Sequence, residues 1–134
     1  MASLIKVEGI GEVYSQRLKA AGVSTTQTLL EKGATSKGRH ELASKAGISH
    51  DLILEWVNHV DLFRIRGVGE EYSDLLEESG VDTVPELAQR NVGNLYSKMV
   101  EVNTAKKLVR RMPVRSQIAD WIEQAKTLPR VVSY

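Results

Sequence analysis

Gly9-Ile10-Gly11-Glu12, followed by Tyr14, Ser15, Leu18, Gly22, Val23, Thr25 and Leu29, decides the fold because it occurs twice. Fifty-eight positions on, Gly67-Val68-Gly69-Glu70 is followed in the same order by Tyr72, Ser73, Leu76, Gly80, Val81, Thr83 and Leu87. Between residues 9–33 and 67–91, ten of twenty-five positions are identical, which chance does not give. Self-similarity at a fixed spacing marks a chain built from copies of one supersecondary unit. Each Gly-X-Gly lies between a short apolar segment and a new helix. Its first glycine permits a backbone turn that a side chain would hinder. The apolar residue, Ile10 or Val68, plugs the gap between two helices. The second glycine is expected to let the next helix begin close to its neighbour.

Such a turn is that of a helix-hairpin-helix motif. Working outward, the later part of each copy repeats more faintly. Ile53, Trp56, Val57 and Val60 fall at i, i+3, i+4 and i+7, one apolar helix face, and Ile118, Trp121, Ile122 and Ala125 have the same spacing. The offset has grown to 65, so about seven extra residues lie in the second copy, within the stretch around Asn103 to Ser116. Gly22 and Gly80 stand where a left-handed residue ends a helix. Thr83-Val84-Pro85-Glu86 has capping-box form, and Ser49 can cap the helix that holds Trp56. Pro113 breaks a helix expected over 104–112, with another starting near Arg115 or Ser116. No stretch alternates as a strand does. The expected fold is all-α, a tandem helix-hairpin-helix pseudo-duplication of the SAM-like type packed as one compact unit. Residues 1–66 form one unit, and 67–134 form a second with a short insertion and a C-terminal tail.

At 134 residues, with 42% hydrophobic and 26% charged side chains, the chain is an ordinary globular one. The net charge of +1 excludes binding to nucleic acid by global electrostatics, so any such binding needs a local patch. The absence of cysteine removes disulfides, thiol catalysis and Cys-ligated metals. With no long apolar run, the default is a soluble cytoplasmic protein. His40, His50 and His59 lack the spacing of a helical metal pair, so they are expected at the surface, with no metal and no cofactor. Ser15 and Ser73 have no His–carboxylate pair to activate them, and no enzyme is expected. Trp56 and Trp121 are expected as core anchors, and Tyr14 and Tyr72 as core residues with a hydroxyl at the rim.

Charge is segregated. Between Gly67 and Gln89 stand seven acids (Glu70, Glu71, Asp74, Glu77, Glu78, Asp82, Glu86) and no Lys or Arg. From Lys98 to Arg115 there are six bases against one acid, Glu101. If Asn103 or Thr104 caps a helix, Lys106 and Lys107 lie in its first turns, with Arg110, Arg111 and Arg115 beyond. Free amides and positive charge would then meet, as a phosphate requires. The glycine turns are poorer candidates. Glu12, Glu70 and Glu71 follow them and would satisfy the helix amides themselves, Glu8 precedes the first, and only Arg66 is a favourable flank. Protein association, including self-association, therefore stands ahead of non-sequence-specific phosphate contact with nucleic acid.

The chain also resembles an uncharacterised bacterial family of domains of unknown function, the 4332 type. The residues carrying the resemblance include Glu8-Gly9-Ile10-Gly11, Gly33-Ala34-Thr35, Gly38-Arg39, Glu41-Leu42-Ala43 and Ile53-Leu54-Glu55-Trp56-Val57-Asn58. Others are Arg64-Ile65-Arg66-Gly67-Val68-Gly69-Glu70, Glu86-Leu87-Ala88-Gln89-Arg90-Asn91, Lys106-Lys107-Leu108-Val109-Arg110-Arg111 and Leu128-Pro129-Arg130-Val131-Val132. The family is similar in layout to tandem helix-hairpin-helix folds such as the Rad51 amino-terminal domain and the RNA polymerase alpha carboxy-terminal domain. The resemblance implies that fold and brings no established activity with it.

Overall fold

A computed structural model describes residues 3–7 and 9–134; Glu8, named above as a flank of the first turn, lies outside the described residues. A 3-10 turn at Leu4–Lys6 is followed by α1 (Glu12–Ala20), α2 (Thr26–Gly33), α3 (Ser36–Ala46) and α4 (His50–Leu62). Then come α5 (Glu70–Glu78), α6 (Val84–Ala88), α7 (Val92–Lys106) and α8 (Arg115–Thr127). Among the described residues, strand-type pairing is confined to one isolated bridge between Ser3 and Thr25. The protein is all-helical, as its periodicity requires.

Two compact units share the chain: Met1–Asp61 with Val131–Tyr134, and Leu62–Arg130. The first boundary falls before Leu62 rather than after Arg66, because Leu62 and Ile65 are fully buried in the second unit's core. The second departure is the tail. Val131–Tyr134 belongs to the first unit, where Val132 is buried and the Ser133 N–H donates to the Ala34 carbonyl at 2.8 Å.

In the first unit, successive reverse turns bring Val7 N–H to the Leu4 carbonyl (3.0 Å) and Ile10 N–H to the Val7 carbonyl (3.1 Å). Gly9 passes through with φ +91°, which only glycine adopts without strain. Helix α1 starts at once, Ser15 N–H donating to the Gly11 carbonyl at 2.9 Å, and ends where Val23 N–H reaches the Leu18 carbonyl at 2.8 Å across Gly22. That six-to-one bond is the helix stop expected at this glycine. Thr25 and Thr35 cap α2 and α3, accepting from Thr28 N–H (3.2 Å) and Gly38 N–H (3.0 Å). Ile53, Trp56, Val57 and Val60 are buried together, so the apolar face of α4 is the wall of this unit's core.

The second unit repeats these bonds. Ile65 N–H meets the Leu62 carbonyl and Val68 N–H the Ile65 carbonyl, both at 3.1 Å, and Gly67 has φ +97°. Ser73 N–H donates to the Gly69 carbonyl at 2.9 Å, and Val81 N–H to the Leu76 carbonyl at 2.8 Å. Thr83 Oγ1 accepts from Glu86 N–H at 3.5 Å and donates to Glu86 Oε1 at 3.4 Å, while Glu86 Oε2 accepts from Asp82 N–H (3.4 Å), one residue before the cap. Ile118, Trp121, Ile122 and Ala125 of α8 are all buried against the α6 and α7 side.

One expected helix is absent. Asn103 and Thr104 do not begin a helix over 104–112; they lie in the last turn of α7, which runs from an Asn91 cap to Lys106. Leu95, Met99 and Val102 hold one buried stripe through this stretch, and that burial outweighs the capping preference of Asn103. The Asn103 amide instead staples the following loop, accepting from Val109 N–H (2.9 Å) and donating to its carbonyl (3.2 Å). Lys107 ends the helix in the left-handed region, φ 53° and ψ 49°. A side chain there is strained, so Lys107→Gly is expected to stabilise the protein by about 1 kcal/mol, raising Tm by roughly 3 °C in a thermal melt.

Candidate functional site

The two glycine turns are organised by tryptophan. A Cβ on Gly9 would stand 3.2 Å from Trp56 Nε1, and one on Gly67 would stand 3.0 Å from Trp121 Nε1. Each indole also packs against the tyrosine that follows its turn. Tyr14 and Trp56 have ring centroids 5.2 Å apart at 57°, and Tyr72 and Trp121 5.3 Å apart at 51°. These tilted contacts are the favourable arrangement for aromatic quadrupoles. Both indoles are almost wholly buried, so neither can stack on a base. In the second unit α8 adds a clamp: the Gln124 amide accepts from Arg66 N–H (2.8 Å) and donates to the Arg66 carbonyl (3.1 Å), fixing the residue before Gly67.

Ile10 and Val68 are buried plugs, as expected. The second glycines differ from expectation. Gly11 and Gly69 have negative φ, and a Cβ on either would meet nothing within 4 Å, so close helix approach does not require them. They act as helix N-caps that leave the first amides of α1 and α5 without a side-chain acceptor. The only charged residues in those first turns are Glu12 in α1 and Glu70 and Glu71 in α5. A carboxylate there interacts favourably with the helix dipole and repels an arriving phosphate.

The basic run does not form the cradle that its sequence suggests. Lys106 is the last residue of α7 and Lys107 its cap, so both stand at the carbonyl end of a helix, whose partial charge is negative. Thr104 Oγ1 donates back to the Val100 carbonyl at 2.7 Å and is no cap. Lys106 Nζ donates to Glu78 Oε2 at 2.6 Å. That bond, with further attraction from Asp74 and Glu77, raises the ammonium above the ordinary lysine value. The acidic and basic segments therefore meet within one chain, at least at this pair. Glu101, the lone acid of the basic run, lies 3.8 Å from Lys98.

Loop 107–114 is nevertheless a fixed platform. Val109 and Pro113 are buried, Asn103 staples Val109, and the Tyr72 hydroxyl donates to the Arg111 carbonyl at 2.9 Å. Lys107, Arg110 and Arg111 stay exposed upon it, and Arg115 opens α8 with its guanidinium 4.8 Å from the Tyr96 ring centroid. Charge is concentrated there, without the helix amides that would complete a phosphate site.

Three features escaped the sequence. His59 is buried, 1% exposed, rather than at the surface. His40 and His50 stack, centroids 4.0 Å apart and planes at 21°, with His40 Nδ1 2.9 Å from the Ser36 carbonyl. Arg39 is also buried, 1% exposed. Its position on the apolar stripe with Leu42 and Ala46 is the one signal that could have shown this. Burial pushes its guanidinium below the ordinary arginine value, an effect that the electrostatic attraction of Tyr134 opposes.

No helix among the described residues is long and apolar enough to cross a membrane. No curated protein and no solved structure matches the chain. The family model described as Domain of unknown function (DUF4332) matches residues 8–128. With nearly the whole chain inside that match, the protein belongs to the DUF4332 family.

Proposed function

We propose that this chain is a tandem helix-hairpin-helix module without enzymatic activity, acting in the cytoplasm as a scaffold through protein–protein contact, including contact with further copies of itself. The observation that carries this reading is the surface around the first turn. Ile5 is 57% exposed and Val13 is 64% exposed, on a 3-10 turn and a helix that pack together, with Lys6 and Glu12 as their neighbours in sequence. Apolar side chains exposed together and flanked by charge of both signs suit a protein partner. The repeated bonds at Gly9 and Gly67 support the duplicated hairpin, because both turns make the same backbone bonds at the same spacing and set a glycine against a tryptophan. Light scattering at micromolar protein, in low and in high salt, is expected to read a mass that rises with concentration. A strict monomer in both salts would sink the self-association part of the reading.

One observation favours a second reading. Lys107, Arg110 and Arg111 stand exposed on a stapled loop, with Arg115 exposed at the start of the next helix, a surface that suits the phosphates of a nucleic acid. That reading requires oligonucleotide binding that weakens steeply with added salt, and Arg110→Glu with Arg111→Glu should abolish it.

A further inference from the structure

The basic segment of the second unit carries more charge than its own fold uses. From Val102 to Ala119 there are five bases and no acid. Lys106 is engaged by Glu78 at 2.6 Å. Among the described residues, Lys107, Arg110 and Arg111 have no carboxylate partner, and all three are exposed. Arg115 is exposed too, its guanidinium held over the Tyr96 ring rather than against an acid. Four cations thus stand within nine residues, and no ion pair neutralises any of them.

The segment that presents them is anchored from its inner side. Val109 and Pro113 are buried, Asn103 bonds both backbone groups of Val109, and the Tyr72 hydroxyl donates to the Arg111 carbonyl. What it turns outward is not charge alone. Val114 is 55% exposed, between the buried Pro113 and the cation of Arg115. Val100, one turn of α7 beyond Tyr96, is exposed as well, and Leu108 and Met112 are only half-buried against the core.

These features select among anionic partners. A discrete phosphate needs convergent donors, and Lys107 stands instead at the carbonyl end of α7. A nucleic acid offers bases to stack, but Trp121 is buried and Tyr96 is already covered by Arg115. An exposed valine gains little from a sugar–phosphate backbone. An anionic bilayer asks for neither cradle nor stacking platform. Its charge is spread over a surface, so it attracts cations according to their number and nearness. Apolar side chains among those cations enter the boundary between headgroups and acyl chains. Such contact needs no membrane-crossing helix.

We infer that residues 107–115 form a docking face for a membrane surface rich in anionic phospholipid, a partner beyond the scaffold reading above. Each Lys or Arg held at such a surface strengthens binding roughly fivefold. The test is flotation of the full chain with vesicles of phosphatidylcholine, alone or mixed with phosphatidylserine, in low and in high salt. The chain is expected to float with the mixed vesicles in low salt, to leave them in high salt, and to ignore phosphatidylcholine. Arg110→Gln with Arg111→Gln should weaken binding about twentyfold, with the helical signal unchanged. Val114→Ser should weaken it about fivefold through lost apolar contact. Val114 is the N-cap of α8 and serine is the better cap, so that loss cannot come from a weaker fold. Flotation that survives the arginine changes, or that is equal on both lipids, would overturn the inference. So would a chain that floats with neither vesicle yet binds a duplex oligonucleotide regardless of Val114→Ser, which would give these bases to nucleic acid.

Discussion

Trp121→Ala is expected to lower stability by about 3–5 kcal/mol, read as a downward shift of the helical melt, with Trp56→Ala similar. Trp121 is 2% exposed and its ring meets Tyr72, while its Nε1 lies under the Gly67 turn. Truncation thus opens a cavity in the second unit's core and removes the surface on which the turn rests. The buried neighbours Ile118 and Ile122 stand on the same helix and cannot fill the space without moving α8. Trp121→Phe should recover part of the loss, because a ring still faces Tyr72. If Trp121→Ala melted within about 1 kcal/mol of the parent, the indole would not be the support of the turn.

Gly67→Ala is the second large effect, with an expected cost of about 2–4 kcal/mol or a fall in Tm of roughly 5–15 °C. Two causes act together: φ is +97°, and the new Cβ would press on Trp121 Nε1 at 3.0 Å. Gly69→Ala, two residues on, is the control. Its φ is negative and its Cβ would enter open space, so the cost should stay below about 1 kcal/mol, chiefly from a poorer N-cap. Equal effects at Gly67 and Gly69 would contradict the division of labour between the two glycines. Gly9 and Gly11 should behave as the same pair in the first unit.

Much of the fold was legible because its causes are local. Gly9 and Gly67 must turn where a side chain cannot, Gly22 and Gly80 must stop a helix, and Trp56 and Trp121 lie on faces with helical spacing. Each signal occupies a few neighbouring residues. The failures have the opposite character. Asn103 has the chemistry of a cap, but the stripe Leu95, Met99 and Val102 carries α7 past it, and Asn103 bonds to Val109 instead. Lys107 gives no warning of a helix end, since the left-handed position is held by a residue other than glycine. The site built on Asn103, Thr104, Lys106 and Lys107 failed with that boundary, losing its helix amides and, to Glu78, one of its charges. The seat of Val131–Tyr134 was out of reach for another reason. Arg39 and Ser133 are 94 residues apart, and no local pattern pairs a buried arginine with a distant carbonyl.

The central functional claim is association rather than capture of nucleic acid. Its most direct test is size-exclusion chromatography with light scattering on the chain mixed with a labelled oligonucleotide duplex at low salt. The expected result is a protein peak well above the 14.9 kDa of one chain, growing with concentration, with the duplex eluting apart. A peak in which single chains ride on the duplex, dispersed by added salt, would contradict it.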